Sequence, residues 1–242
     1  MECARLNRYG LLVVTGTDAR DFLHAQLTND IASLPAERAA LAGWCTAKGR
    51  LLASFLVIPS KEGFLLQLAR DLAPTVAKRL SMFIFRSKVK IADESDGWAQ
   101  YGIWDEALDV PGVRWDGDAV TVRVAQARFL RLGRTLSLTA NKPEEAWTLE
   151  EIRASRPLIS AATQDKFVPQ MVNFEALGAI NFQKGCYPGQ EIVARAQYRG
   201  EVKRRMARVQ LPQGLQLKPG EEFQGGVIVD SAAGEALAVM PV

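Results

Sequence analysis

Residues 184–191 read Lys-Gly-Cys-Tyr-Pro-Gly-Gln-Glu and place a thiol, an amine, a phenol, an amide and a carboxylate side by side. The glycines allow a positive φ or a close backbone approach, and Pro188-Gly189 suits the centre of a type II turn. A tight loop that exposes a cysteine beside cations can stabilise a thiolate. Cys186 is equally typical of a small buried apolar residue, as most free cysteines are. Spacing alone leaves both interpretations open.

The composition is that of a globular protein and excludes several functional classes. Of the 242 residues, 48% are hydrophobic and 24% are charged, and the net charge is +3, which fits one large domain or a few small ones. The three cysteines form no CxxC pair, which argues against a disulfide scaffold and fits a reducing compartment. Because His24 is the only histidine, we expect no zinc site. No apolar run is long enough to span a membrane, so we expect a cytoplasmic protein.

Strand and hairpin patterns predict a mixed α+β organisation for about the first ninety residues. Residues 9–16 are typical of a strand, and Thr17-Asp18 should cap a helix that runs to about Thr28. Apolar runs at 51–58 and 64–68 flank a turn and predict a hairpin. A second helix should begin near Asp71 and run to about Phe85.

The middle of the chain predicts further strands and one helix. Strands are expected at 98–104, 120–124 and 128–132, with a loop at 105–117 that contains a short helix around Ala107. A helix should begin at Pro143 and stop before Pro157.

Two later segments carry functional signals. Residues 158–182 have no regular pattern, which is typical of a binding loop. Six cations then lie within fourteen residues, and they are Arg195, Arg199, Lys203, Arg204, Arg205 and Arg208. Such a run is usually a solvated face, and a surface for an anionic ligand or an RNA backbone is the alternative. Short strand-like pieces after Arg205 predict a small β module.

The segment Lys-Gly-Cys-Tyr-x-Gly-Gln-Glu resembles the signature of the YgfZ family, which are folate-binding proteins related to the aminomethyltransferase (T-protein) of the glycine cleavage system. Other segments match family elements in the same order, and they are residues 26–30, 47–50, 167–170 with Asn173, 177–178 and 198–200. The similarity covers most of residues 10–205.

The resemblance implies an α+β fold with two ferredoxin-like-related α+β subdomains around a central folate opening, and a small C-terminal β-barrel. Residues 1–197 would form the T-protein-like folate-binding region, with approximate subdomains 1–92 and 93–197 that can interleave. Residues 198–242 would form a short barrel module with three or four strands, and whether this barrel is complete is left open.

The resemblance also implies that the cofactor is tetrahydrofolate or another folate. Trp147 matches an aromatic folate contact of the family, and Tyr9 falls where well-known members have a tryptophan. Either ring can stack on a pterin, although Trp147 by itself is more typical of a core anchor. Arg195 would receive the glutamate tail of the folate, because a guanidinium pairs well with a carboxylate.

The family role implied for the chain is that of an accessory protein in iron–sulfur cluster assembly or repair, and through it in tRNA methylthiolation. Cys186 would be the working residue, with Lys184, Tyr187, Gln190 and Glu191 as its neighbours in the reactive set. A single cysteine cannot supply all ligands of a stable cluster, so we expect transient thiol or ligand chemistry and no permanent metal.

Two alternatives stay open at this stage. The first is an aminomethyltransferase-like enzyme, although Asp71 lies too early to match the aspartate on which the T-proteins depend. The second is an RNA-binding module built on residues 195–208. The implied partners are a folate, iron–sulfur enzymes or assembly proteins, and tRNA through a weak contact. We expect no interaction with a membrane. We expect a monomer, and whether it catalyses a one-carbon or thiol reaction is left open.

Overall fold

The computed structural model describes residues 1–106, 108–200 and 202–242, so the short helix expected around Ala107 falls outside the described residues. In chain order the strands are β1 (Glu2–Arg5), β2 (Tyr9–Thr15), β3 (Ala40–Cys45), β4 (Leu51–Ser60), β5 (Gly63–Ala69), β6 (Lys90–Asp93), β7 (Ala99–Trp104), β8 (Val113–Asp116), β9 (Ala119–Ala125), β10 (Arg128–Gly133), β11 (Arg204–Gln210), β12 (Glu222–Phe223), β13 (Gly226–Ala232) and β14 (Glu235–Pro241). The α-helices are α1 (Ala19–Gln26), α2 (Ala73–Ser81), α3 (Glu144–Arg153) and α4 (Gln190–Tyr198), and short 3-10 helices cover Arg70–Leu72 and Pro169–Val172.

The first sheet has the strand order β3-β4-β5-β2-β6, and its pairs are antiparallel. All but the last residue of β4 is buried, which means that both faces of this strand are covered. Asp18 precedes α1, but its side chain accepts a hydrogen bond from the Lys88 N–H at 2.7 Å. The predicted cap residue therefore fastens the segment before β6 to the start of α1.

The second sheet has the order β1-β7-β10-β9-β8 and begins with the first residues of the chain. Strand β1 pairs antiparallel with β7, so the N-terminus joins a sheet whose other strands come from the middle of the sequence. Helix α3 packs against β1 and against the C-terminal strands β13 and β14. It therefore lies between the second sheet and the C-terminal part of the chain.

The C-terminal strands form a four-stranded half-barrel sheet in the order β11-β14-β13-β12. Its buried Asp230 accepts a hydrogen bond from the Arg8 guanidinium at 2.8 Å, and the same guanidinium donates to the Thr148 hydroxyl at 2.8 Å. Arg8 thus joins the N-terminus, α3 and the C-terminal sheet in one polar contact.

The predicted strands at 9–16, 98–104, 120–124 and 128–132 and the 51–68 hairpin are confirmed, with small shifts at their ends. The expected extension of the second helix to Phe85 is wrong, because α2 ends at Ser81. Phe83 turns back to pack edge-on against Trp44, with 6.3 Å between ring centroids. The loop predicted at 105–117 contains β8, which pairs with β9. No helix among the described residues is long and apolar enough to cross a bilayer.

Candidate functional site

The 184–191 loop ends at the first turn of α4 and lies directly against the turn between β3 and β4. Gly189 has φ +81° and ψ 2°, the values of the second central residue of a type II turn, so that prediction is confirmed. A Cβ at Gly189 would lie 2.4 Å from the Thr46 carbonyl oxygen and 2.7 Å from Gly49 Cα. A Cβ at Gly49 would lie 2.8 Å from the Cβ of Ile192. The two glycines let two backbones touch, and this contact fixes the position of the loop.

Lys184 attaches the loop to the end of α1. Its Nζ donates to the carbonyl oxygen of His24 and, at 2.7 Å, to that of Leu27, where a cation also interacts well with the helix dipole. The same Nζ lies 5.0 Å from the centre of the Tyr187 ring. Burial lowers the pKa of Lys184 to about 8, while the charges of Asp30 and Cys186 oppose this change. Lys184 is therefore a positioning residue for the loop.

Tyr187 and Gln190 also face inward. Tyr187 is buried, and burial raises the pKa of its phenol, which stays neutral. The Gln190 side-chain oxygen accepts a hydrogen bond from the Tyr187 N–H at 3.2 Å and closes the turn. Glu191 is exposed in the first turn of α4, where a negative charge stabilises the helix.

Cys186 differs from the other two cysteines in its exposure. Its side chain is exposed, whereas Cys3 and Cys45 are buried. Burial raises the pKa of Cys45 to about 12 and raises that of Cys3 as well, so both stay protonated thiols. Cys186 is the thiol that a partner or reagent can reach, and its immediate neighbours hold the loop that presents it.

The irregular segment before the loop is fastened to β3. The Thr28 hydroxyl donates to the Ala179 carbonyl at 2.6 Å and accepts from the Gly43 N–H at 2.7 Å. The Asn29 amide donates to the Gly178 carbonyl at 2.8 Å. These polar contacts, of which the two at Thr28 are buried, join the matched 26–30 segment to the 177–179 segment. Both segments therefore help to hold the chain that leads into the loop.

A separate cleft of about 630 Å³ opens between β3, β9 and the end of α3. Three cations border it, namely Arg38, Arg123 and Arg156. The cleft narrows past Leu41, Leu56 and Arg156 into a recess of about 40 Å³, and these three residues border both spaces.

The recess combines aromatic and hydrogen-bonding groups, because Tyr9, Gln67 and Glu151 lie on its wall. Burial and the Glu151 carboxylate raise the pKa of Tyr9, whose phenol is neutral. The Gln67 amide donates to the Gln100 side-chain oxygen at 2.8 Å. Glu151 forms an ion pair with Arg128 and lies 3.4 Å from the Arg156 guanidinium.

The predicted folate contacts lie in three different places. Tyr9 borders the recess, Trp147 is buried at 1% exposure against β7, and Arg195 is exposed on α4. The described residues that border the cleft and the recess include neither Trp147 nor Arg195. The roles of all three as folate contacts stay predictions.

Sequence reasoning missed the three arginines of the cleft. Arg38 lies just before β3, Arg123 lies in β9 and Arg156 precedes Pro157. These positions are far apart in the sequence, and no local pattern connects them. Among the described residues, no group of three or more His, Cys, Asp or Glu side chains is placed to hold a metal ion.

Replacing Lys184 with Met should destabilise the protein by about 1–3 kcal/mol, because two charge-assisted hydrogen bonds to the end of α1 are lost. The loss is measured by urea unfolding at pH 7. Lys166→Met is the matched control, since Lys166 is exposed and donates to a single carbonyl, that of Gly220, at 3.3 Å. Equal losses in the two variants would contradict the anchoring role of Lys184.

The contribution of Lys184 should depend on pH. Its pKa is about 8 in the folded protein and 10.5 as the ordinary value, so the unfolded chain binds more protons between these values. The free energy of unfolding of the wild-type protein must then rise with pH between about 8 and 10.5. We expect the difference in unfolding free energy between wild type and Lys184→Met to grow by about 1 kcal/mol from pH 8 to pH 10, less than the full shift would give because solvent screens the partly exposed ammonium. If the unfolding free energies of the two proteins changed in parallel with pH, the lowered pKa of Lys184 would be contradicted.

Comparison with known proteins places the chain among bacterial relatives. No protein-family model matches it. It is 30% identical to the tRNA-modifying protein YgfZ of Aliivibrio fischeri over 270 aligned positions, covering 98% of this chain and 84% of the relative. It is 33% identical to the protein of the same name from Edwardsiella ictaluri, covering 83% and 68%. An uncharacterized protein of Haemophilus influenzae is 35% identical, covering 83% and 70%.

The fold is similar to that of the glycine cleavage system aminomethyltransferase T from Bartonella henselae. The TM-score is 0.71, the sequence identity is 15%, and the match covers 99% of this chain and 78% of the other. The T-protein-like fold expected from the signature is thus confirmed. Together with relatives that are at least 30% identical over most of their length, these findings show that the chain belongs to the YgfZ family.

Proposed function

We propose that this protein binds tetrahydrofolate or another folate in the cleft and recess, and that it supports iron–sulfur cluster assembly or repair. Through that role it would act on iron–sulfur enzymes, including those that methylthiolate tRNA. The name that its relatives carry, tRNA-modifying protein, and the T-protein-like fold both favour this proposal. The two five-stranded halves would be the ferredoxin-like subdomains around the opening.

The cleft is the observation that carries the folate proposal. Its volume of about 630 Å³ lies within the usual range for small-molecule sites. Arg38, Arg123 and Arg156 border it beside one carboxylate, that of Asp30, so its walls carry net positive charge suited to the carboxylates of a glutamate tail. The phenol, amide and carboxylate of the recess suit a flat ring with hydrogen-bonding edges.

The recess is too small for a pterin ring as it stands. It holds about 40 Å³, so the side chains at its mouth would have to move for the ring to enter. Arg156 is the charged residue at that mouth, and it donates to the Val124 carbonyl at 3.1 Å and lies 3.4 Å from Glu151. Rotation of Arg156 toward an incoming carboxylate would exchange one ion pair for another and widen the mouth.

A bound folate would supply one-carbon chemistry, and the residues of this chain would bind and orient it. The Tyr9 ring and the Gln67 amide would set the position of the ring in the recess, and the cations of the cleft would hold the tail. In the loop, Lys184 and Gln190 fix the backbone on both sides of Cys186. The exposed thiol would then act as a transient ligand or nucleophile toward a partner protein.

Among the residues that the structure describes, no contact favours the aminomethyltransferase alternative. The Asp71 carboxylate accepts a hydrogen bond from the Ala161 N–H at 3.1 Å, so it helps to hold the start of the irregular segment. The accessory role therefore remains our proposal, for a monomeric protein of the cytoplasm.

Folate binding is tested by calorimetric titration with tetrahydrofolate. The double variant Arg38→Gln/Arg156→Gln should bind at least about tenfold more weakly, because each charged hydrogen bond contributes about 1.5–3 kcal/mol. Lys61→Gln/Lys90→Gln removes the same charge from exposed residues that border neither the cleft nor the recess. Arg195→Gln in the same titration tests the tail contact implied by the signature. Equal affinities of the two double variants would overturn the assignment of the cleft.

The role of Cys186 is tested separately in cells that lack the natural protein. Cys186→Ala should lower the activity of iron–sulfur enzymes and the methylthiolation of tRNA severalfold, while folate binding in vitro stays unchanged. Gln183→Ala is the control, because Gln183 is exposed in the same loop. Normal enzyme activity with Cys186→Ala would remove the thiol from the proposal and leave folate binding untouched.

A further inference from the structure

We propose that the exposed face of α4 and the start of β11 bind an unpaired RNA segment. This surface, called here the α4 surface, consists of Arg195, Tyr198, Arg199, Lys203 and Arg204, all of which are exposed. It does not border the cleft among the described residues, so the inference is independent of folate binding.

The fold places Arg195, Tyr198 and Arg199 at the C-terminal end of α4, and Lys203 and Arg204 follow at the start of β11. Arg195 and Arg199 are four residues apart, about one helical turn, and therefore lie on the same side of α4. Helix α4 is attached to the 3-10 helix Pro169–Val172 by a buried hydrogen bond from the Gln170 amide to the Val193 carbonyl at 2.6 Å. The Asn173 amide holds β11 in the same way, through the Met206 carbonyl at 2.8 Å.

The charges of the α4 surface are available to a ligand, unlike those of the neighbouring arginines. Arg205 forms an ion pair with Glu175, and Arg208 lies 3.9 Å from Glu235. None of the ion pairs between described residues involves the four cations of the α4 surface, which are Arg195, Arg199, Lys203 and Arg204. Two opposing charges lie nearby, from the exposed Glu191 one helical turn before Arg195 and from Glu201, which lies outside the described residues. Four cations against two carboxylates leave the surface with an excess of positive charge.

Tyr198 gives this surface an aromatic group on which a base can stack. Its side chain is 71% exposed. Its ring packs edge-on against Phe182, with 5.9 Å between centroids, which holds the ring in place from one side. Cations that follow a backbone together with an exposed aromatic ring are the usual means of binding single-stranded nucleic acid.

Charge and position favour RNA over a lipid surface. Guanidinium groups pair with phosphates in a two-pronged geometry and also stack on bases, whereas membrane binding needs a wide apolar face on the helix. Phe182, which supports Tyr198, precedes the 184–191 loop by two residues. An RNA segment on the α4 surface would therefore contact a side chain close to the start of the 184–191 loop.

The test is fluorescence anisotropy of a labelled twelve-residue oligouridine with the full chain. With four phosphates neutralised, the affinity should fall about 50-fold between 50 and 200 mM salt. The variant Arg195→Gln/Arg199→Gln/Lys203→Gln/Arg204→Gln should bind at least tenfold more weakly at low salt, with a much flatter salt dependence. Tyr198→Ala should weaken binding roughly five- to 150-fold and leave the salt dependence unchanged.

The control variant removes four exposed lysines elsewhere, and they are Lys61, Lys78, Lys88 and Lys90. Lys61 follows the ten-residue strand β4 at the end away from α4, and this strand spans about 30 Å. Equal RNA binding by the two charge variants would overturn the proposal. So would retention of RNA affinity in Tyr198→Ala, or binding to phosphatidylserine vesicles without binding to RNA.

Discussion

Replacing Trp147 with Ala should destabilise the protein by about 3–5 kcal/mol in the absence of any folate. Trp147 is 1% exposed, and its ring lies so close to β7 that a Cβ at Gly102 would be 2.3 Å from the Trp147 Cε3. The ring also contacts Trp104, at 5.7 Å between centroids, and the Arg128 guanidinium, at 5.1 Å. Removing it leaves a cavity between α3 and the second sheet that the rigid surroundings cannot fill.

Urea unfolding measures this loss, with Trp98→Ala as the control because Trp98 is only partly buried. A loss for Trp147→Ala no larger than that of the control would contradict the core role. Trp147→Phe separates the folate contact implied by the signature from the packing role. A Kd for tetrahydrofolate that is unchanged in this variant would restrict Trp147 to the core.

Replacing Gly189 with Ala should cost about 2–5 kcal/mol and loosen the 184–191 loop. Its φ of +81° costs an L-residue about 1–2 kcal/mol, and the added Cβ collides with the backbone of the β3–β4 turn, which adds about 1–3 kcal/mol of overpacking. Because both contacting atoms belong to backbone, no side-chain rotation relieves the collision. The alkylation rate of Cys186 should change together with the stability.

Gly234→Ala is a closely matched control, because Gly234 also has φ +81° and a Cβ there would meet nothing within 4 Å. Gly234→Ala should lower the free energy of unfolding only by the cost of a positive φ, about 1–2 kcal/mol. The alkylation rate of Cys186 should not change in this variant. Equal stability losses in the two variants would show that the backbone contact at Gly189 contributes nothing.

Both predictions concern residues that hold the structure around the candidate site, and neither residue is proposed to react. The reactive set expected from the sequence was Cys186 with Lys184, Tyr187, Gln190 and Glu191. The structure exposes Cys186 and Glu191 and turns the other three inward as anchors of the loop. A variant of an anchor would therefore lower function through a displaced thiol, and a stability measurement must accompany every activity measurement on this loop.

Local sequence determined the regular parts of this protein. The alternation of apolar and polar residues in β9 and β10, the turn after β4 and the glycine of the Pro188-Gly189 turn each act over a few residues. Such patterns could be interpreted without knowing the fold, because the period of a strand or the φ of a turn is a property of the segment itself. The signature likewise indicated the family before any geometry was known.

Tertiary structure alone decided the pairing of β1, the position of the cleft and the burial of the loop residues. Strand β1 exists because its residues pair with β7 about a hundred positions later, and the cleft exists because distant segments bring Arg38, Arg123 and Arg156 together. Burial also decided which polar residues of the 184–191 loop face inward, since the carbonyl acceptors of Lys184 lie on α1, far away in sequence. Such contacts depend on long-range packing, and no pattern within one segment encodes them.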